Sequence, residues 1–126
     1  MNLFRPADII ETAEAWKIGL NSKNTPSVLA LSRQGLPQVR LGDDVMECKS
    51  ARGGYVLREA SSEAEIVLLA TGSEVMIADE ARTQLEAQGH PTRLVSVPCL
   101  DLLLAQDAEY RRAPVSYTHL TLPTKA

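Results

Sequence analysis

Arg33 stands just past the carboxyl end of a short apolar run, Ser27 to Leu31 (SVLAL). In open α/β sheets, ligands collect in the crevice beyond the carboxyl ends of the strands. A guanidinium there presents a planar fork of donors suited to a phosphate or a carboxylate. The same side chain could equally serve a structural ion pair or stand in solvent. A second candidate is Thr71-Gly72-Ser73-Glu74, at a strand-to-helix turn whose open amides could hold an anion. The T-x-x-E spacing of Thr71 and Glu74 also fits a capping box, which satisfies those amides without a ligand. The capping role is the expected one, since the phosphate motifs G-x-G-x-x-G and G-x-x-x-x-G-K-S/T are both absent. His90, after Gly89 at a helix end, reads as a lone surface histidine. Cys48 and Cys99 lie far apart, without C-x-x-C spacing or a histidine cluster, and read as free thiols of a reducing compartment. No metal-ligand cluster, nucleophile with its base, or pair of catalytic carboxylates stands out, so no catalytic residue is assigned.

The elements that would position these groups follow from periodicity. Residues 8–20 place Ile9, Ala13, Trp16 and Leu20 at steps of four, three and four, one apolar face of a helix. That pattern puts Trp16 in the core. Pro6 just ahead, with Asp8 and Glu11 in the first turn, suits a helix start. SVLAL has the length of a buried strand, and Gly35 and Pro37 break the chain after it. Residues 41–63 are polar, carry Gly42, Gly53 and Gly54, and read as an interdomain linker with one strand-like piece at Tyr55 to Leu57. A second unit opens at Ala64. It contains a buried strand from Glu65 to Ala70 and a helix from Glu74 to Gln88 closed by Gly89. The helix carries Val75, Ala78, Ala81 and Leu85 on one face, and a further strand follows from Thr92 to Val97. This β-α-β order predicts a parallel sheet with a right-handed crossover. The fold class is α/β, as fragments of two parallel-sheet α/β domains joined by a linker.

At 126 residues the chain is the size of one modest domain. Only 4% of it is aromatic, so aliphatic side chains must fill the core. The net charge of −3 is spread evenly, with no basic stripe to suggest nucleic acid and no feature to suggest a membrane partner. No run approaches the roughly 18 apolar residues that span a bilayer, and MNLFRPAD lacks the pattern of a secretory signal. A soluble cytoplasmic protein is expected. Residues 115–126 (VSYTHLTLPTKA) break with everything before them and resemble the translation of a sequencing-library adaptor. They are set aside as a non-native tail, with Tyr117 and His119, which would otherwise suggest an acid/base pair.

Several motifs stand in the order and spacing of one family. They are the R-P-A-D of Arg5 to Asp8, the E-x-x-E-A-W from Glu11 to Trp16, the T-P-S from Thr25 to Ser27, and S-R-Q-G-L-P from Ser32 to Pro37. Ala51-Arg52-Gly53-Gly54-Tyr55-Val56-Leu57, Ala70-Thr71-Gly72-Ser73-Glu74-Val75 and Val95-Ser96-Val97-Pro98-Cys99 continue the series. In these motifs the chain resembles transketolases. The resemblance implies that residues 1–40 end a pyrimidine-binding domain, that 41–63 link the two parts, and that 64–114 open a C-terminal domain. It implies transfer of a two-carbon ketol unit between sugar phosphates, by a homodimer using thiamine diphosphate and Mg2+ or Ca2+. It maps the family's phosphate-binding arginine onto Arg33, with Gly35 where the family usually carries Asn. The family's cofactor-holding and metal-holding residues precede this segment, so Met1 reads as internal. The chain alone is expected to bind no cofactor and to be inactive. The rival readings are a deoxyxylulose-phosphate synthase, a 2-oxoacid dehydrogenase β subunit, or a stand-alone α/β binding module.

Overall fold

Asp8 opens the first helix because its carboxylate reaches back to the backbone. Its own conformation is extended, and Oδ1 accepts the Glu11 N–H at 2.8 Å, the geometry of an N-cap. Two three-residue strands flank that helix in the chain. β1 (Asn2–Phe4) precedes α1 (Ile9–Asn21), and β2 (Ser27–Leu29) follows it and pairs with β1 in parallel. The computed structural model describes residues 1–42 and 47–115. Tyr117 and His119, with the tail from residue 116 onward, lie outside the described residues.

The second sheet contains β3 (Tyr55–Arg58), β4 (Ile66–Ala70) and β5 (Thr92–Ser96), with α2 (Glu74–Ala87) between the last two. β5 is central; β4 pairs with it in parallel and β3 antiparallel. The β4-α2-β5 unit thus forms as its periodicity predicts, but the sheet is mixed. β3 falls within the stretch that reads as a linker, yet its backbone is hydrogen-bonded into this sheet. α3 (Leu100–Leu104), α4 (Ala108–Arg112) and 3₁₀ turns at Lys49–Arg52 and Ala113–Val115 complete the described elements.

Both parts of the chain feed the same clusters. Ala7 and Val39 pack with Tyr55, Leu57, Val75 and Leu94, while Phe4 and Ala15 pack with Cys99. Gly53 makes one close approach possible. It sits at φ +89°, its carbonyl accepts the Cys99 N–H at 3.1 Å, and a Cβ there would collide with the backbone of Cys99 and Leu103. Only glycine fits such a position without strain.

α2 turns its expected face inward, with Val75 fully buried and Ala78 against the same cluster. Its start differs from expectation. No capping box forms: the N-cap is Ser73, which makes no side-chain cap bond, and the Thr71 carbonyl accepts the Glu74 N–H at 3.2 Å. Gly72, at φ +61°, lets the backbone make this turn by itself.

α1 is turned the opposite way from its apolar stripe. Ile9, Trp16 and Leu20 are 70%, 55% and 76% exposed, whereas Glu11, Glu14 and Ala15 are buried. Trp16 is therefore a surface residue and not a core one. The cause is the neighbourhood: hydrogen-bond donors face the acidic side of the helix, and no described element covers the apolar side. Exposed apolar groups grouped on one face drive association. The isolated chain should therefore self-associate at micromolar concentration in sedimentation velocity. A monodisperse monomer with a sharp thermal transition would show that this face is tolerated in water.

Candidate functional site

Arg33 projects from the loop beyond β2. Ala30 N–H donates to the Phe4 carbonyl at 2.8 Å, and the loop then runs through exposed residues to the buried Val39. Arg33 is exposed and makes no hydrogen bond or ion pair with any described residue. An open recess of about 260 Å³ lies between this loop and the start of α1, with Asp8 and Thr12 on one side and Ser32, Gln34 and Leu36 on the other. Arg33 lies between two of these lining residues in sequence but is not part of the wall. Gly35 has open space around it, so a Cβ there would meet no obstacle.

Sequence reasoning missed a buried set of acids on the inner face of α1. Asp8, Glu11 and Glu14 recur at steps of three, and that helical spacing was the signal available. Asp8 Oδ2 accepts the N–H groups of Val39 and Arg40, both at 2.9 Å. Glu11 Oε1 accepts the Ala7 N–H at 2.8 Å, and its Oε2 accepts the hydroxyls of Tyr55 at 2.5 Å and Ser96 at 2.6 Å. Glu14 receives a fork from Arg40, with Nη1 to Oε1 and Nη2 to Oε2 at 2.9 Å each. Ser50 adds its hydroxyl at 2.7 Å and its N–H at 3.2 Å. Arg40 is 0% exposed, also donates to the Glu47 carbonyl at 2.7 Å, and stands 5.3 Å from the Tyr55 ring centroid.

Burial and partners set the charges in this cluster. Burial pushes the Glu11 carboxyl above its usual range, against the bonds from Ser96, Tyr55 and Ala7, which pull it down. Burial also works against the Glu14 carboxylate, but the bonds from Arg40 and Ser50 outweigh it and hold Glu14 below its usual range. Arg40 is held charged in return, because its bonds to Glu14 overcome its own desolvation. Burial, and then the adjacent Glu11, raise the Tyr55 phenol and keep it protonated. Each acid already accepts bonds from the chain's own donors, so the cluster ties α1 to residues 39–55 and to β5. Among the described residues no group of three His, Cys, Asp or Glu could hold a metal ion. The described residues thus offer no group that fits the divalent metal the family implies.

The remaining candidates are structural. His90 Nδ1 faces Glu65 Oε1 at 3.2 Å on the exposed surface. Cys48 and Cys99 are free thiols, and burial raises both, away from the thiolate a nucleophile needs.

Residues 53–121, more than half of the chain, match the family of the transketolase-like TK C-terminal domain. That match starts inside the stretch that reads as a linker and runs past Pro114. The transketolase of Sinorhizobium medicae is 56% identical over 113 residues, 89% of this chain and 16% of that protein. The transketolase of Rhodobacter capsulatus is 53% identical over 109 residues, 86% of this chain and 16% of that protein. A variant Pichia stipitis transketolase in complex with fructose 6-phosphate superposes with a TM-score of 0.79 at 40% identity, covering 90% of this chain and 16% of that one. A split-gene transketolase, described as an inactive β4 tetramer, gives 0.63 at 29% identity, covering 79% of this chain and 31% of that one. The chain thus spans 16% of the length of these two curated relatives. With the α/β fold and the sequence in agreement with these relatives over 86–89% of the chain, the chain belongs to the transketolase family.

Proposed function

We propose that this chain is part of a transketolase that moves a two-carbon ketol unit from a ketose phosphate to an aldose phosphate, and that Arg33 anchors the substrate's terminal phosphate. The observation that carries this is the exposed guanidinium of Arg33, without a partner among the described residues, on the loop beyond β2 of a transketolase-family chain. Having no ion-pair partner among the described residues supports a ligand-binding role over a structural one. The sugar phosphate in the Pichia complex belongs to the proposed substrate class. Thiamine diphosphate, with Mg2+ or Ca2+, supplies the carbanion chemistry in the complete enzyme, and residues outside this chain hold it.

We further infer the division into the end of a pyrimidine-binding domain (1–40), a connection (41–63) and the opening of a C-terminal domain (64–114), with residues 115–126 a non-native tail. The complete enzyme is a cytoplasmic homodimer; no described helix is long and apolar enough to cross a membrane. The chain alone is inactive, a reading that the inactive split-gene tetramer supports. The 53–56% identity to transketolases favours this reading over a deoxyxylulose-phosphate synthase or a 2-oxoacid dehydrogenase β subunit. The test is a graft of residues 1–114 into the Sinorhizobium medicae enzyme in place of the matching span. Ketol transfer between sugar phosphates should persist; a folded, cofactor-loaded chimera without transfer would reject the assignment.

A further inference from the structure

We propose that Asp8 is a positioning residue for Arg33: its buried carboxylate fastens the far end of the loop that carries the guanidinium, so phosphate affinity depends on it. The inference rests on reading Arg33 as the phosphate anchor. One short stretch, Phe4 to Asp8, holds the loop at both ends. At the entrance the Phe4 carbonyl accepts the Ala30 N–H at 2.8 Å. At the exit Asp8 Oδ2 accepts the N–H groups of Val39 and Arg40 at 2.9 Å each. The other oxygen of the same carboxylate caps α1 through the Glu11 N–H at 2.8 Å, and Asp8 is only 4% exposed. One buried group therefore fastens the loop to the first turn of a 13-residue helix.

Within the loop, Ser32 Oγ accepts the Gln34 N–H at 3.1 Å, a local turn centred on Arg33. That turn shapes the tip but leaves the ends free. Arg40 secures the exit a second time, through its fork to Glu14. With both ends fixed, the loop is ordered before a phosphate arrives, and binding loses less conformational entropy. The RPAD motif and the SRQGLP loop are thus two halves of one device.

The test uses a cofactor-loaded complete transketolase carrying this segment. Asp8→Ser keeps a hydroxyl oxygen for the helix cap but is too short to reach the amides of Val39 and Arg40. The KM for a phosphorylated aldose acceptor should rise about tenfold, while kcat and the KM for an unphosphorylated acceptor stay within about twofold. Added to Arg33→Ala, it should change nothing further for the phosphorylated acceptor, since the anchored group is already gone. Asp8→Asn, which can serve the cap or the amides but not both, is the second variant if the serine does not fold. In the unmodified enzyme, hydrogen exchange at the Val39 and Arg40 amides should be slower than across residues 31–38. Equal losses on both acceptor classes, or exit amides that exchange as fast as the loop, would overturn the positioning role while leaving Arg33's own role intact. An Arg33→Ala variant that fails to discriminate the two acceptors would instead remove the phosphate reading, and the positioning role with it.

Discussion

Arg33→Ala in a complete transketolase carrying this segment should lower kcat/KM for phosphorylated acceptors by about 30- to 1000-fold. A charge-assisted hydrogen bond contributes roughly 1.5–3 kcal/mol, and a guanidinium can offer a phosphate two of them. A loss of about 2–4 kcal/mol spans the stated range, since 1.4 kcal/mol is a factor of ten. The substitution should leave the fold alone, because the side chain is exposed and holds no other described residue in place. Unphosphorylated acceptors should be affected far less, because they never make the contact. Cofactor affinity should hardly change, since the arginine acts at the distal end of the substrate. The ratio of the two mutational effects, measured by steady-state kinetics on paired acceptors, is the deciding number. A ratio near one would return Arg33 to a structural role.

The second large effect concerns stability. Glu14→Ala should destabilise the protein by about 3–5 kcal/mol, because it removes the carboxylate that the fully buried Arg40 grips with both Nη atoms. The fork at 2.9 Å is lost and the Ser50 hydroxyl loses its acceptor. Removing both charges tells a different story. Glu14→Leu with Arg40→Met replaces a desolvated pair by apolar groups of similar length, a change that is often neutral or stabilising. Urea midpoints of the two singles and the double, measured on the grafted enzyme, separate these cases. A double variant as unstable as the sum of its singles would mean that Glu14 and Arg40 are not coupled, and would refute this account of the pair.

The two glutamates also respond to acid in opposite directions. Glu14 has a folded pKa below the ordinary 4.5, so its contribution is present above that value and lost as pH falls through the lower one. Glu11 has a raised folded pKa, so its contribution is present below 4.5 and lost as pH climbs through the higher one. Glu14→Gln should therefore flatten the loss of stability on acidification below about pH 4.5, while Glu11→Gln should remove a loss of stability that sets in as pH rises above about 4.5. Stability titrations of the two variants that run parallel would contradict this opposition.

Local chemistry made much of the chain readable in advance. Period-3.6 patterns located α1 and α2, apolar runs located β2, β4 and β5, and the ordered motifs pointed to transketolases and to Arg33. β1 was not legible, because three residues carry no usable period. β3 was legible as a strand-like piece but not as a sheet member, since partner choice depends on where β5 lies in space. Its neighbours Gly53 and Gly54 looked like linker composition, yet Gly53 is needed where the chain passes against α3. The T-x-x-E spacing at Thr71 was equally local, and Gly72 overrode it by turning the backbone into the left-handed region.

The side of α1 that faces inward is the sharpest division between the two kinds of information. Residue types and spacing determined that a helix forms there, that Asp8 begins it, and that it carries an apolar stripe and an acidic one. They also determined the family, and with it the expectation for Arg33. Tertiary structure alone decided that the acidic stripe is buried. A carboxylate enters a protein interior only where donors meet it, and those donors are the groups of Arg40, Ser50, Tyr55 and Ser96, 26 to 85 residues away in sequence. No window along the chain contains both the acids and all of their partners, so only the folded chain shows that the polar face is the inner one.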